Sequence, residues 1–232
     1  LLMDGSSSSY LLVVSVRNVP FKITDRTFIA TTNGTPHLIF VAPNSPFKTL
    51  KDLEDEAKKD PENFTWTSLG GVGGQDSVIR QFLKAIGVDV KKTKPVIAKG
   101  GAESVALTAG GHVKMGSSSI SSAIPAIKGG MVRTLAMAAK ERWPDLPDIP
   151  TAGEVGYSSV DVVNWLGLSG PPKLPSNVVD ALDKAQQEFV KDPEIVQKLR
   201  NMGTIPIYRD AKATIEHVMK KMDEVEKLWG LK

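Results

Sequence analysis

Cysteine is absent from this sequence, and histidine occurs only three times in 232 residues. Without cysteine the chain has no thiol nucleophile, no disulfide and no cysteine-ligated zinc site, although this absence is compatible with either side of a membrane. His37, His112 and His217 have no metal-ligand spacing, and neither a G-x-S-x-G elbow nor an H-E-x-x-H motif is present. We therefore expect three surface or fully hydrogen-bonded histidines, and no catalytic residue, metal or cofactor.

Long apolar runs and concentrated charge are also missing. No segment approaches the roughly 20 apolar residues that a membrane-spanning helix requires. The formal net charge is only +3, and lysines alternate with acidic residues instead of forming a basic stripe. Nucleic-acid-binding proteins usually concentrate their basic residues. We therefore expect a globular protein without a nucleic-acid partner.

Short apolar runs alternate with helical periodicity along most of the chain, which is typical of an α/β protein with largely parallel sheets. Thr49, Asp192 and Asp210 are predicted to cap helices, and Ser176 is predicted to cap another. The predicted strands and short apolar segments are residues 10–16, 37–42, 63–67, 94–98, 112–115, 132–138 and 160–168.

The first residues, Leu1-Leu2-Met3, resemble the middle of a buried strand and include no initiator methionine or signal peptide. We expect that a segment upstream has been removed, either a leader alone or part of the fold.

A glycine-rich segment between a predicted strand and a predicted helix is the strongest candidate for a binding site. It reads Ser68-Leu69-Gly70-Gly71-Val72-Gly73-Gly74. Glycines allow close approach of the backbone, and the N–H groups at a helix start can hold an anion without a charged side chain. The Walker lysine is absent, and a dinucleotide fingerprint fits poorly. The alternative interpretation is a flexible connecting loop.

Other small polar segments occupy similar predicted positions. Ser117, Ser118 and Ser119 follow one predicted strand, and Lys99-Gly100 follows another. Because ligands collect at the carboxyl ends of parallel strands, these segments could converge on one cleft. The serines are equally typical of helix caps. A further run, Ser6-Ser7-Ser8, is at least as typical of a flexible linker.

Motifs spread over essentially the whole chain resemble one family. They include Val41-Ala42-Pro43 with Pro46, the serine-glycine segment, Lys99-Gly100-Gly101 and the stretch from Ile127 to Ala136. The most specific is Arg142-x-Pro-x-x-Pro-x-Ile-Pro-Thr-x-x-Glu-x-Gly-Tyr157, which continues into Asn164-Trp165-Leu166-Gly167-Leu168. With these motifs the chain resembles the substrate-binding proteins of tripartite tricarboxylate transporters, also called Bug receptors.

Three features depart from this family's pattern. A histidine that usually follows the glycines is replaced by Gln75-Asp76-Ser77, and Lys114 occupies a position where an acid is frequent. A βα unit with a Gly-Gly-x-x-Asp loop, which begins family members and contributes to ligand capture, is absent from this sequence.

The resemblance implies an α/β fold of the two-lobe, type II periplasmic-binding-protein architecture, with a ligand cleft between the lobes. One lobe would be residues 41–135, and the other would combine residues 1–40 with 136–232. The implied function is that of an extracytoplasmic or periplasmic receptor, a monomer, that captures a small carboxylate and delivers it to membrane transporter subunits. The implied ligand-binding residues are Ser68, Gly70, Gly71, Val72, Gly73, Gly74, Ser117, Ser118, Ser119, Ser6, Ser7, Ser8, Lys99, Gly100 and Trp165, although Trp165 fits core packing equally well.

Two other classes of function remain open. A ligand-sensing domain of a transcription regulator can share this architecture, and a helix-turn-helix upstream would favour it. An enzyme acting on a small acid is the second alternative, but the glycine-rich segments offer no plausible base.

Overall fold

The computed structural model describes residues 1–6, 21–71 and 73–230. The described residues form a mixed α/β protein. Its strands are β1 (Leu2–Gly5), β2 (Thr27–Val41), β3 (Thr65–Ser68), β4 (Lys94–Ile97), β5 (Gly116–Ser119), β6 (Arg133–Ala138), β7 (Val163–Gly170) and β8 (Ile205–Arg209). Its helices are α1 (Leu50–Lys59), α2 (Gly74–Ala85), α3 (Gly101–Ala109), α4 (Ile120–Lys128), α5 (Ser176–Phe189), α6 (Pro193–Asn201) and α7 (Ala211–Trp229). The segment expected at residues 10–16 lies outside the described residues.

Three helices begin at capping residues that the sequence predicts. The Thr49 hydroxyl accepts a hydrogen bond from the N–H of Asp52, whose carboxylate accepts one from the N–H of Thr49. Asp192 and Asp210 likewise cap α6 and α7 through their carboxylates. These three capping predictions are confirmed. The prediction for Ser176 is wrong by one residue, because Pro175 precedes the helix and Ser176 is its first residue.

The chain divides into two compact units. The inserted unit comprises Pro36–Val163, and the outer unit comprises Leu1–Thr35 with Asn164–Lys232. The resemblance led us to expect a division at 41–135 instead. Residues beyond 135 belong to the inserted unit because Ala136, Ala138 and Val160 pack in its hydrophobic core, and Ala152 joins them there.

Strand direction in the inserted unit departs from expectation. The sequence predicts largely parallel sheets, but β2 pairs antiparallel with β5 and with β6. The prediction is wrong here because β2 runs against its neighbours. Since β5 and β6 both oppose β2, they run in one direction. Strand β3 is parallel to β4 and makes a parallel bridge from Trp66 to Met115, next to β5. The carboxyl ends of β3, β4 and β5 therefore share one orientation.

Strand β5 begins later than the sequence predicts. We expected a strand at residues 112–115 followed by a serine loop, whereas Gly116–Ser119 is itself the strand. Its residues pair in register with Phe40 to His37 of β2. A Cβ atom on Gly116 would collide with the side chains of Thr108 and Phe40. The strand consists of small residues because its neighbours leave little space for side chains. The sequence therefore has no run of apolar residues that would predict a strand here.

The inserted unit has an apolar core on one face of β2 and β6. Helices α1 and α2 cover this face, and Leu53, Val78 and Phe82 pack with Ile39 and Ala136.

In the outer unit, β1 pairs antiparallel with β7, and β2 pairs antiparallel with β8. Its core contains Ile23, Phe28, Trp165, Val218 and Val225. No helix within the described residues is long and apolar enough to cross a membrane.

Candidate functional site

The glycine-rich segment connects β3 to α2 through a backbone that favours glycine. Gly70 and Gly71 have φ angles of 82° and 90°, in a region that L-residues with a Cβ atom rarely adopt. Gly73 precedes the first residue of α2, which is Gly74. Val72 lies outside the described residues.

Several N–H groups of this segment bind the side chain of Asp76. Its carboxylate is fully buried and accepts hydrogen bonds from the N–H groups of Leu69 at 2.9 Å, Gly71 at 3.1 Å and Gly73 at 3.3 Å. The Ser68 hydroxyl donates to the same carboxylate at 2.5 Å. The segment thus folds around an internal anion, as the positive backbone of a glycine-rich turn favours. An incoming ligand does not meet these particular N–H groups as unoccupied donors.

The buried serines of β5 offer hydroxyl groups instead. The side chains of Ser117 and Ser118 are fully buried, and neither Oγ atom has a hydrogen-bond partner among the described residues. Ser119 is half-buried and shares hydrogen bonds with Ser121 and Ser122. Buried hydroxyl groups normally have a partner, so Ser117 and Ser118 leave hydrogen-bonding capacity at this place.

Helix α3 is held close to these serines. The Ser104 hydroxyl lies 2.6 Å from Thr67 Oγ1 and 2.8 Å from the carbonyl oxygen of Ser117. A Cβ atom on Gly101 would lie 2.5 Å from Ser118 Oγ and 2.6 Å from Ser122 Oγ. The structure therefore brings residues 68–71, 73–76, 99–104 and 117–122 together, and we call this group of segments the polar edge.

Lys99 and Gly100 contribute mainly backbone groups to the polar edge. The Lys99 side chain is exposed. The backbone N–H of Lys99 donates to the Glu103 carboxylate at 2.6 Å. Gly100 precedes the first residue of α3, and its carbonyl oxygen accepts from the N–H of Ser104.

Two polar side chains that the sequence does not single out belong to the same unit. His37 is 3% exposed, and its Nδ1 atom has no partner among the described residues. The expectation of a surface or satisfied histidine is therefore wrong for His37, because β2 carries it into the interior. Gln75, in the first turn of α2, is also buried, and its Nε2 atom has no partner among the described residues. Only their unpaired burial identifies them, and no sequence motif does.

The remaining candidates lie in the outer unit. The buried Ser6 hydroxyl accepts a hydrogen bond from the backbone N–H of Trp165 at 3.0 Å. Trp165 packs in the core of the outer unit with Ile23 and Val218. Ser7 and Ser8 lie outside the described residues. No group of three histidine, aspartate or glutamate side chains that could hold a metal occurs in the described ranges.

Comparison with known families gives a match over nearly the whole chain. The model of a family described as "Tripartite tricarboxylate transporter family receptor" matches residues 2–229. A UPF0065 protein of the TAR-I ttuE-ttuC' intergenic region of Agrobacterium vitis is 27% identical over 181 residues, which are 78% of this chain and 51% of the relative. A UPF0065 protein of the tcbD-tcbE intergenic region of Pseudomonas sp. strain P51 is 27% identical over 188 residues, covering 80% of this chain and 55% of the relative. The chain thus spans little more than half the length of these relatives.

Solved structures share the fold. MatC of Rhodopseudomonas palustris with bound malate has a TM-score of 0.82 at 21% identity, covering 97% of this chain and 77% of MatC. The periplasmic binding protein BugD has a TM-score of 0.81 at 22% identity, covering 98% of this chain and 76% of BugD. An R. palustris protein with adipate has a TM-score of 0.80 at 23% identity, covering 92% of this chain and 72% of that protein. The expected fold class, that of the periplasmic binding proteins, is confirmed.

Proposed function

Because the chain belongs to the tripartite tricarboxylate transporter receptor family, we propose that it is the ligand-capturing part of a receptor for a small carboxylate. The family match over residues 2–229 carries this proposal. The malate and adipate bound to two proteins of the same fold support the ligand class.

The proposed binding site is the polar edge of the inserted unit. The buried hydroxyl groups of Ser117 and Ser118, which have no partner within the described ranges, are its side-chain donors. The backbone of residues 68–71, 73 and 74, hydrogen-bonded to Asp76, shapes one side, and the backbone at Lys99 and Gly100 shapes another. Hydroxyl and N–H donors in a low-dielectric setting suit a carboxylate.

The proposed mechanism is capture without chemistry. A receptor of this kind holds its ligand outside the cytoplasm and presents it, unchanged, to membrane transporter subunits. The polar edge offers the hydroxyl groups of Ser117 and Ser118 and the side-chain amide nitrogen of Gln75, which have no partner within the described ranges. Its one buried carboxylate, Asp76, is already bound by three N–H groups and a hydroxyl. This set of groups supports binding and supplies no general base poised for a reaction.

A thermal-shift screen tests the proposal. The chain is heated with mono-, di- and tricarboxylates, with neutral amides and matched chloride salts as controls. A ligand present far above its dissociation constant stabilises a fold by roughly 3 kcal/mol. We expect a selective rise in Tm with one group of carboxylates and none with the amides. If no carboxylate raises Tm above its salt control, the receptor proposal fails.

A paired variant locates the binding. The double substitution S117A/S118A removes both hydroxyl groups, whereas S158A removes an exposed serine of the same unit. We expect the ligand-induced shift to disappear in the double variant and to persist in S158A. An undiminished shift in S117A/S118A would place the site elsewhere.

A further inference from the structure

The polar edge has two places where helix starts favour negative charge, and the chain itself fills one of them. At the start of α2, the N–H groups of Leu69, Gly71 and Gly73 all donate to the Asp76 carboxylate. A second anion there would be repelled by this buried charge and would find these donors already bonded. The start of α2 is therefore a poor place for a ligand carboxylate.

The second place lies where α3 and α4 begin side by side. Gly101 is the first residue of α3, and Ser122 belongs to the first turn of α4. A Cβ atom on Gly101 would lie 2.5 Å from Ser118 Oγ and 2.6 Å from Ser122 Oγ. Because these distances are shorter than van der Waals contact, the two hydroxyl groups can approach the start of α3 only when residue 101 is glycine.

Neither of these helix starts is capped by a side chain within the described ranges. Gly100 precedes α3 and has no side chain, and the hydroxyl of Ser119, which precedes α4, bonds to Ser121 and Ser122 instead. The first N–H groups of a helix have no partner inside the helix and carry a positive partial charge. Ala102 and Ser121, in the first turns of these nine-residue helices, are exposed, so both turns are open to solvent.

Charged side chains near the start of α3 are exposed. The Glu103 carboxylate accepts from the backbone N–H of Lys99, which precedes the helix, and the Lys99 ammonium group is exposed as well. Water and salt screen exposed charges strongly. The N–H groups and hydroxyl groups therefore decide what binds at this place, more than the two charges do.

Ser118 adds a hydroxyl group with unused hydrogen-bonding capacity. The residue is fully buried, and its Oγ atom has no partner among the described residues. Buried hydroxyl groups normally have a partner. Its short distance from the Cβ position of Gly101 shows that this Oγ atom is directed at the start of α3. A buried, unpaired hydroxyl beside two uncapped helix starts suits a negatively charged oxygen.

We propose that one carboxylate of the ligand binds where α3 and α4 begin, to N–H groups of both first turns and to the Ser118 hydroxyl. Gly101 is the residue that keeps this place open, and the glycine-rich segment contacts no carboxylate of the ligand. The inserted unit therefore takes an acid through a single carboxylate, held by neutral donors. This inference rests on the proposed receptor function and assigns the carboxylate to one of the two helix-start regions of the polar edge.

Isothermal titration with acetate, succinate, malate, adipate and citrate tests the roles of these residues. G101A places a methyl group against Ser118 and Ser122, and S118A removes the buried hydroxyl group. We expect each substitution to weaken the tightest-binding acid about 10-fold, because a hydrogen bond to a charged group is lost. Circular dichroism and urea unfolding establish that each variant is folded before titration.

Two exposed positions of the same unit provide matched controls. A Cβ atom on Gly153 would make only ordinary contacts, the nearest at 3.7 Å, and Ser158 is an exposed serine. We expect G153A and S158A to change the affinity by less than about 2-fold.

Backbone amide chemical shifts locate the carboxylate without any substitution. In heteronuclear NMR titrations of the unmodified chain with the same acids, we expect the largest shifts at Ala102 and Ser121 and small shifts at Gly71 and Gly73. Largest shifts in the glycine-rich segment, or unchanged affinity in folded G101A and S118A, overturn the inference and leave the receptor function standing. Absence of binding by every acid overturns the receptor function and the inference with it.

Discussion

At the scale of single residues, the side chain of Asp76 changes how the N–H groups of the glycine-rich segment are interpreted. The sequence predicts N–H groups that hold a ligand anion, and the structure supplies an anion from the first turn of α2. Glycine spacing alone identifies a concave backbone and its preference for negative charge. Whether the charge comes from a ligand or from the chain depends on where Asp76 points, which no local pattern reveals.

The D76N substitution tests this assignment. The Asp76 carboxylate accepts from three N–H groups and one hydroxyl, and an amide nitrogen would face donors with a donor. We expect D76N to lower the free energy of unfolding in urea by about 3 kcal/mol. The exposed acid Asp55 of the same unit provides a control in D55N, with an expected change within about 0.5 kcal/mol. Equal stability of D76N and D55N would contradict the internal-anion assignment.

His37 predicts a dependence of stability on pH. Its pKa falls from the usual 6.5 to about 4 because burial disfavours the charged ring. Between these values the unfolded chain binds more protons than the folded chain, so acidification destabilises the fold. We expect His37 to lower the free energy of unfolding by about 2 kcal/mol at pH 5, compared with its value well above pH 6.5.

Urea unfolding between pH 7 and pH 5 measures this loss. The pKa of His217 is also lowered to about 4, mainly by burial, so some pH dependence should remain when His37 is replaced. H37N should flatten the dependence relative to the unmodified chain. Parallel pH profiles for H37N and the unmodified chain would refute the prediction.

At the scale of elements, patterns with their own chemical signals are recovered best. The caps at Thr49, Asp192 and Asp210 begin helices where the sequence places them, because a cap is a local interaction. Strand β5 is missed because Gly116 to Ser119 carry no apolar signal. What makes them a strand is pairing with β2, far away in the sequence. The residue types therefore predict that these segments come together, but they do not predict that Ser117 to Ser119 form a strand instead of a loop.

The Ser104 hydroxyl links three elements of the polar edge. It contacts Thr67 of β3 and the Ser117 carbonyl of β5 from within α3, and it is fully buried. We expect S104A to lower the free energy of unfolding by about 2 kcal/mol, since buried partners lose a hydrogen bond. S158A, at an exposed serine, should change it by less than about 0.5 kcal/mol. Indistinguishable unfolding midpoints would show that this hydroxyl does not hold α3 in place.

At the scale of the whole molecule, the resemblance identifies the fold class but not the limits of the units. The limits differ because Ala136 to Val160 return to the core of the inserted unit. The ends of this unit are adjacent, with the His37 N–H bonded to the Val162 carbonyl oxygen at 3.2 Å. The core and the polar edge therefore belong to one segment with neighbouring ends, which is typical of a domain that folds alone.

Expression of residues 36–163 alone tests this independence. Because its core includes Leu53, Phe82 and Trp66 in full burial, we expect a cooperative urea transition and native-like near-ultraviolet circular dichroism. The same fragment with the core substitution F82A should lose about 4 kcal/mol of stability. A fragment without a cooperative transition would contradict the independence of the inserted unit.

The central claim, capture of a small carboxylate without chemistry, is tested most directly by isothermal titration with the acid that raises Tm most. The bound acid is then recovered and identified by mass spectrometry. We predict saturable binding of one acid per chain, recovery of the acid unchanged, and at least about 10-fold weaker binding by S117A/S118A. Absence of binding, chemical conversion of the acid, or equal affinity in S117A/S118A would contradict the account.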